Sequence, residues 1–216
     1  MSQTQIRTII LFMFVMICHS PLFSQRNFLQ HEFSFHSGYG NMVYGVPGLT
    51  LPTHSYDRKL AQGVNWDLQY HFRPLRHFVI GAIYSGFSSK GSHPEGSDHV
   101  WVHFIGPQIG VCNVSTERWQ MRITGGPGGV IFRDNSKVFG KSRNTKANSI
   151  GFLFNASTAY KLSSHLGIGM EIQYLASGLV SMRSEYHGET IRVDFDENAN
   201  SSLSRLNINA GLSYYF

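Results

Sequence analysis

The chain has 216 residues, enough for one domain, and only 14% of them are charged. A typical soluble domain has about 25% charged residues. The low charge, the 22 glycines and the 13% of aromatic residues therefore disfavour an ordinary soluble protein and favour a β-barrel in lipid. The formal net charge of +5 is a mild basic bias that does not by itself indicate an anionic partner, and we predict no nucleic acid partner.

The first residues have the layout of a secretory signal peptide. Arg7 precedes the apolar run 8–18, which is too short to cross a bilayer as a helix, and the small residue Ser24 follows. We expect cleavage after Ser24, which divides the chain into a signal peptide, 1–24, and a barrel domain, 25–216.

Cysteine usage limits the chemistry of the mature part. Cleavage would remove Cys18 and leave Cys112 alone, which excludes a disulfide framework and a cysteine-based zinc site. In an alternative interpretation Cys18 is the lipid-bearing cysteine of a lipoprotein, but the bulky Val15, Met16 and Ile17 before it disfavour this.

Strict alternation of apolar and polar residues dominates the remaining chain, and this period of two is typical of a strand with two unlike faces. It is clearest in Val64–Arg73, where Trp66 and Leu68 share one face and Asp67 and Gln69 share the other. The predicted strands cover about 32–41, 64–73, 78–88, 99–111, 118–132, 150–162, 166–176 and 205–216. A phase slip is expected near Gly106-Pro107, and the glycine run 125–129 suggests a bend or a crowded wall.

The connections between these strands alternate in length. Long ones cover about 42–62, 89–98, 133–148 and 178–201, and short ones cover about 74–77, 113–117 and 163–165. This pattern predicts an all-β fold: an eight-stranded antiparallel up-and-down transmembrane β-barrel with four long extracellular loops and short periplasmic turns.

The polar faces indicate lipid outside the barrel. A soluble barrel would expose Lys and Glu to water, whereas these faces carry mainly Gly, Ser, Asn and Gln with single charges, as suits a narrow interior. Aromatic residues gather near the short turns and the C-terminus, where they would form an interfacial girdle: Tyr70, Phe72, Phe78, Trp119, Tyr160, Tyr214 and Phe216.

Seven charged or titratable side chains are predicted to point into the lumen: Asp67, His71, Arg73, Arg122, Lys161, Glu171 and Arg205. Buried charges must be paired to be tolerated. We expect Glu171 to pair with Arg73, Arg122 or Arg205 in a structural network, while a proton or small-ion path gated at Glu171 is the alternative.

The third long connection is basic. Its cations are Arg133, Lys137, Lys141, Arg143 and Lys146, accompanied only by Asp134. They form either a solvated loop or a contact for lipopolysaccharide phosphates at the outer leaflet. In the fourth connection the alternating segment 189–195 favours an extension of the barrel wall above the membrane.

No catalytic motif is found. The Gly-x-Ser-x-Gly elbow of many hydrolases and the His-x-Ser-Asn element of a lipid A deacylase are both missing. His93, Glu95, Asp98 and His99 could form an opportunistic metal site, but solvated loop residues are the preferred interpretation. We therefore predict no catalytic residues, no metal and no cofactor.

The C-terminal segment "LSRLNINAGLSYYF" (203–216) resembles the last strand of outer-membrane β-barrel proteins. Three further segments, "FSQ" (23–25), "IGPQIGV" (105–111) and "LGIGMEIQYLASG" (166–178), are similar to small barrel-domain proteins common in Bacteroidetes, which resemble the outer membrane protein A-type barrel. The resemblance implies a location in the bacterial outer membrane. It also implies that Tyr214 and Phe216 form a signal for the outer-membrane assembly machinery.

These observations predict a non-enzymatic integral outer-membrane barrel with a structural or surface-binding role in the cell envelope. Its expected partners are outer-membrane lipid and lipopolysaccharide, and the sequence identifies no extracellular ligand. A lipid A-modifying enzyme and a narrow channel are the two alternatives. The first would require an outward-facing Ser, His and acid cluster, and the second a continuous water-filled bore.

Overall fold

The computed structural model describes residues 30–44, 46, 59–94, 96–114, 118–138, 140–186, 188–195 and 202–216. The predicted signal peptide, 1–24, lies outside them. The strands are β1 (Gln30–Met42), β2 (Gln62–Leu75), β3 (Phe78–His93), β4 (Gly96–Val114), β5 (Trp119–Val138), β6 (Lys141–Lys161), β7 (Leu166–Ser177), β8 (Ser181–Tyr186), β9 (Glu189–Asp194) and β10 (Arg205–Tyr215). No helix among the described residues is long and apolar enough to cross a membrane.

The strands form one antiparallel sheet that closes on itself. Each strand from β1 to β7 pairs with the next, and β10 pairs with both β7 and β1. The remaining two strands, β8 and β9, form a hairpin whose first strand pairs with β6 beyond the end of β7. This closure leaves no open edge along the ring, because every ring strand has two neighbours.

The strand count and three of the four long loops differ from the sequence prediction. The described residues form ten strands where eight were predicted, since the fourth connection contains β8 and β9. The second and third connections are continuous hairpins, with ladders that reach His93↔Gly96 and Val138↔Lys141. In these hairpins the residues still alternate between inward and outward, but most of them are polar. A prediction based on alternating apolar residues therefore ends these strands too early.

The phase slip expected near Gly106 is absent. Ile105 and Ile109 stay on the exposed face, and β4 remains in one register with β3 through Pro107. The apparent slip arises because the inward neighbour, Phe104, is also apolar. Most of the glycine run is a crowded wall, since a Cβ on Gly126 would clash with the carbonyl oxygen of Pro107 and a Cβ on Gly128 with that of Ile105.

Large apolar side chains cover the outside of the ring. Phe35, Ile172 and Ile208 are about half exposed, although they lie in the middle of regular strands. Water would make such a surface costly at roughly 25 cal/mol per Å² of apolar area. The burial pattern therefore fits a ring whose outer face contacts lipid.

The interior is filled in two tiers. The half farther from the chain's C-terminus holds an apolar cluster, which includes Leu60 from a single helical turn at 59–61. Its largest members are Met42, Leu60, Ile83, Phe87, Phe104, Phe132, Leu153, Leu175 and Leu203. Glycines make room for it: a Cβ on Gly40 would lie 2.9 Å from the Phe87 ring. The other half is polar.

Candidate functional site: the barrel interior and its outer face

The centre of the polar tier is a cluster of three titratable side chains from three strands. His36 Nδ1 lies 3.0 Å from Asp67 Oδ1 and 3.5 Å from Glu171 Oε2. All three side chains are buried. They meet because alternation points every second residue of β1, β2 and β7 into the same narrow interior.

Amide side chains surround the two carboxylates. Three of them, Gln69, Gln173 and Asn209, each donate to both Asp67 and Glu171 over 2.6–3.1 Å. A fourth amide, Asn155, donates to Glu171 at 3.0 Å. The negative charge of the cluster is thereby spread over a network of short hydrogen bonds.

The expected pairing of Glu171 with an arginine is wrong. Among the described residues the only basic side chain within ion-pair distance of it is His36. Arg122 instead pairs with Glu32 at 2.6 Å, and Arg205 donates to Ser85 Oγ at 2.7 Å and to the Val102 carbonyl at 3.1 Å. Strand stagger sets which inward residues share a height, and the sequence does not contain it.

The Glu32–Arg122 pair forms a second polar layer nearer the chain's C-terminus. Ser213 Oγ and Gln120 Nε2 also donate to Glu32, so this buried carboxylate has three donors. Glu32 was missed in the sequence, although it has the same phase as His36 on β1, opposite to Phe33 and Phe35.

All seven predicted lumen residues face the interior. Five of them are buried: Asp67, His71, Arg122, Glu171 and Arg205. The other two, Arg73 and Lys161, are half-buried at the mouth nearest the C-terminus. There Arg73 Nη1 lies 3.7 Å from Cys112 Sγ, and Lys161 Nζ lies 4.5 Å from the centre of the Tyr215 ring.

The cluster of His36, Asp67 and Glu171 has the composition of a metal site, with its possible ligand atoms within 4.8 Å of one another. Each carboxylate already accepts four hydrogen bonds, which is about its full capacity. A cation would have to displace these donors. The geometry therefore favours a structural network over a metal centre.

The five cations of the predicted basic loop lie on the β5–β6 hairpin. Arg133, Lys137 and Lys146 are exposed on its outer face, and Lys141 is exposed beside the turn. Arg143 departs from this group. It faces inward, where it lies 3.4 Å from Asp134 and 3.7 Å from Asp98.

An outward-facing serine and histidine meet on the β3–β4 hairpin. Ser88 Oγ and His99 Nε2 are 3.0 Å apart, and both side chains are half-exposed. Trp101 packs against His99 with ring centroids 4.6 Å apart. The sequence contains no short motif that predicts this pair, because Ser88 and His99 come together only through the pairing of β3 with β4. Asp98 faces the interior, so it does not join His99 in the metal cluster considered from the sequence.

The aromatic residues near the C-terminus contact one another as a belt. Phe216 stacks on His31 at 5.4 Å and on Tyr214 at 5.9 Å. Farther round the ring, Trp119 packs edge-on against Tyr160 at 5.1 Å. Amphipathic rings at this position suit the membrane interface.

No family model matches the chain, and no curated protein matches it. Solved structures do share the fold. Ail, the attachment invasion locus protein of Yersinia pestis, solved with the heparin analogue sucrose octasulfate, has 9% identity and a TM-score of 0.53, over 87% of this chain and 99% of Ail. Neisserial surface protein A has 9% identity and a TM-score of 0.52, over 89% of this chain and 100% of its own.

A major outer membrane protein from Thermus thermophilus has 11% identity and a TM-score of 0.57, over 86% of this chain and 99% of its own. At such identities the likeness concerns the fold alone. The chain has the fold of the small outer-membrane β-barrels. Together with the apolar outer surface, this fold confirms the predicted location in the bacterial outer membrane.

Proposed function

We propose that the protein is a non-enzymatic integral outer-membrane barrel with a closed lumen. Its role is structural or surface-binding, and its membrane-crossing part is the ring of eight strands. The filled interior carries this proposal: an apolar cluster occupies one half, and buried hydrogen-bonded side chains occupy the other. The sequence resemblance supports relatives among the Bacteroidetes-type barrels.

A channel is disfavoured by the same observation. Any ion path would have to pass Phe87, Phe104 and Phe132, which are almost fully buried, and then the network around Glu171. Apolar constrictions of this kind oppose the passage of water and ions.

Reconstitution tests the proposal. The mature chain, refolded in detergent, should give a β-type circular dichroism spectrum and should migrate differently on gels with and without heating. In planar bilayers it should show no steady conductance. Reproducible porin-sized steps, or a spectrum dominated by helix, would overturn the proposal.

A lipid-modifying hydrolase is the second candidate, and the Ser88–His99 pair favours it. A serine within hydrogen-bond reach of a histidine is the usual arrangement of an activated nucleophile. The test is release of fatty acid from purified lipopolysaccharide by wild type and by Ser88→Ala, with Ser92→Ala as a control on the same exposed face. If wild type and Ser92→Ala release fatty acid and Ser88→Ala does not, the protein is such an enzyme. The non-enzymatic proposal expects no release by wild type or by either variant.

A further inference from the structure

Three cations lie side by side on the outer wall of the barrel. Arg133 on β5 is the direct cross-strand partner of Lys146 on β6, and Lys146 is the direct partner of Arg183 on β8. All three side chains are exposed. Neighbouring strands are about 4.8 Å apart, so the three form a continuous row, here called the basic row, of about 10 Å.

The basic row is unfavourable in the protein alone. Like charges directly opposite each other destabilise a sheet. Among the described residues, no carboxylate forms an ion pair with Arg133, Lys146 or Arg183. By contrast, the next cation in register, Arg192, pairs with Asp194 at 2.9 Å. The basic row therefore leaves three adjacent positive charges for an external anion.

The basic row lies where the apolar outer surface ends. Two residues before Arg133 is Ile131, and four residues after Lys146 is Ile150, which is 80% exposed. Trp101 is the direct partner of Arg133 on the other side. A tryptophan at the edge of an apolar band marks the membrane–water interface, the depth of lipid headgroups.

We propose that the basic row binds the phosphate groups of a glycolipid in the outer leaflet, the phosphorylated sugar headgroup of lipopolysaccharide. Arginine binds phosphate with two parallel hydrogen bonds, and Lys146 adds a compact charge between the two arginines. A lipid is favoured over a soluble polyanion because the basic row lies on the lateral wall, beside the apolar surface that contacts acyl chains. The proposal rests on the outer-membrane location given above. It assigns the role to Arg183, which the sequence did not indicate, and removes Arg143.

The probe is bisphosphorylated lipid A, added to the folded mature chain in detergent micelles, with bound lipid counted by native mass spectrometry. The test variant is Lys146→Gln with Arg183→Gln. The control, Arg76→Gln with Arg118→Gln, removes the same charge near the opposite end of the barrel. Losing a charge-assisted contact typically costs a factor of about ten in affinity. The double test variant should therefore bind about 100-fold more weakly, and the control should bind like wild type.

Two further arms define the source of the phosphate. Lipid A without phosphates should bind to the wild-type protein as weakly as bisphosphorylated lipid A binds to the test variant. Inorganic phosphate at the same concentration should not displace bisphosphorylated lipid A from the wild-type protein. Equal loss in both double variants, binding that ignores the lipid phosphates, or effective competition by free phosphate would each overturn the proposal. Heat-dependent gel migration of every variant shows that it has folded. A folded barrel without phosphate-dependent lipid binding would refute the site and leave the proposed function standing.

Discussion

Asp67 and Glu171, which lie on ring strands separated by β1 and β10, accept hydrogen bonds from the same three amide side chains. Two carboxylates held this close need donors around them, because buried charge without hydrogen bonds is costly. The amides supply those donors and link three strands, β2, β7 and β10. The network is therefore a stability element, and it makes a clear prediction.

Glu171→Leu should strongly destabilise the barrel. It would leave the N–H groups of Gln69, Gln173, Asn155 and Asn209 without one of their acceptors, at roughly 3 kcal/mol or more in total. Glu171→Gln should be intermediate, since one acceptor oxygen remains. Urea unfolding in lipid vesicles measures both, and a loss no larger than that of the exposed control Glu185→Leu would contradict the structural role.

The Glu32–Arg122 ion pair predicts that a second substitution can restore stability lost through the first. Arg122→Met leaves the Glu32 carboxylate buried without its cation, which should cost about 3–5 kcal/mol. Adding Glu32→Gln removes the unpaired charge, so the double variant should regain most of the lost stability. The same urea titrations measure this, and two losses that simply add would show that the residues do not interact.

The sequence predicted the faces of the strands better than the contacts inside. Period-two alternation correctly placed five residues inward: Asp67, His71, Arg122, Glu171 and Arg205. The apolar residues of a strand must face the lipid together, and a shift of one residue would move all of them to the other face, so the alternation fixes the orientation of the whole strand. Their partners could not be predicted, since cross-lumen contacts depend on the stagger between strands. Arg122 therefore meets Glu32, while Glu171 meets amides and His36.

The apolar tier was missed for a related reason. In the sequence, Leu153 interrupts the polar face of β6, and in the structure it is fully buried in the apolar cluster. Sequence alternation separates lipid-facing from inward residues only while the inside is polar. Where the interior becomes apolar, both faces look alike, and strands appear to end or to slip.

Gly40 and Phe87 test the packing of that tier. A Cβ on Gly40 would come within 2.9 Å of the Phe87 ring and 2.6 Å of Asn207 Oδ1. Gly40→Val should therefore lower stability by about 1–3 kcal/mol through overpacking. Phe87→Leu added to Gly40→Val should recover part of it, which denaturant midpoints would show; no recovery would mean that Phe87 is not the group in conflict.

Asp134 predicts a pH dependence at the rim, beyond the last lipid-facing residue of β5. Burial, together with the charge of Asp98, raises the pKa of Asp134 from 3.8 to about 6. The folded state then binds its proton more tightly than the unfolded state, so the stability it contributes is present near pH 4 and is lost as pH rises through 6.

Asp134→Asn mimics the protonated acid and should be as stable as wild type near pH 4 but more stable at pH 7. Paired urea titrations at both pH values measure the difference. Asp194→Asn, on the exposed β9, is the control and should not be more stable than wild type at pH 7. If Asp134→Asn is less stable than wild type at pH 7, the ion pair with Arg143 outweighs the burial of Asp134.

The last prediction concerns the C-terminal aromatic residue. Phe216 exchanges two backbone hydrogen bonds of 3.0 Å with His31, and its ring stacks on the His31 imidazole. A frayed end would make neither contact. Phe216 therefore extends the β1–β10 ladder that closes the ring, at the end where the aromatic belt lies.

Deletion of 214–216 removes this last part of the closure and exposes the edge of β1 to lipid, where unpaired backbone groups are costly. The amount of heat-modifiable protein in the outer-membrane fraction should fall several-fold, with periplasmic or degraded chain in its place. Phe216→Ala keeps the backbone hydrogen bonds and removes only the ring, so it separates the two contributions. If Phe216→Ala lowers the amount of heat-modifiable protein as much as the deletion does, the result would support recognition of the aromatic side chain by the assembly machinery. Normal outer-membrane levels after the deletion would show that the C-terminal contacts are dispensable.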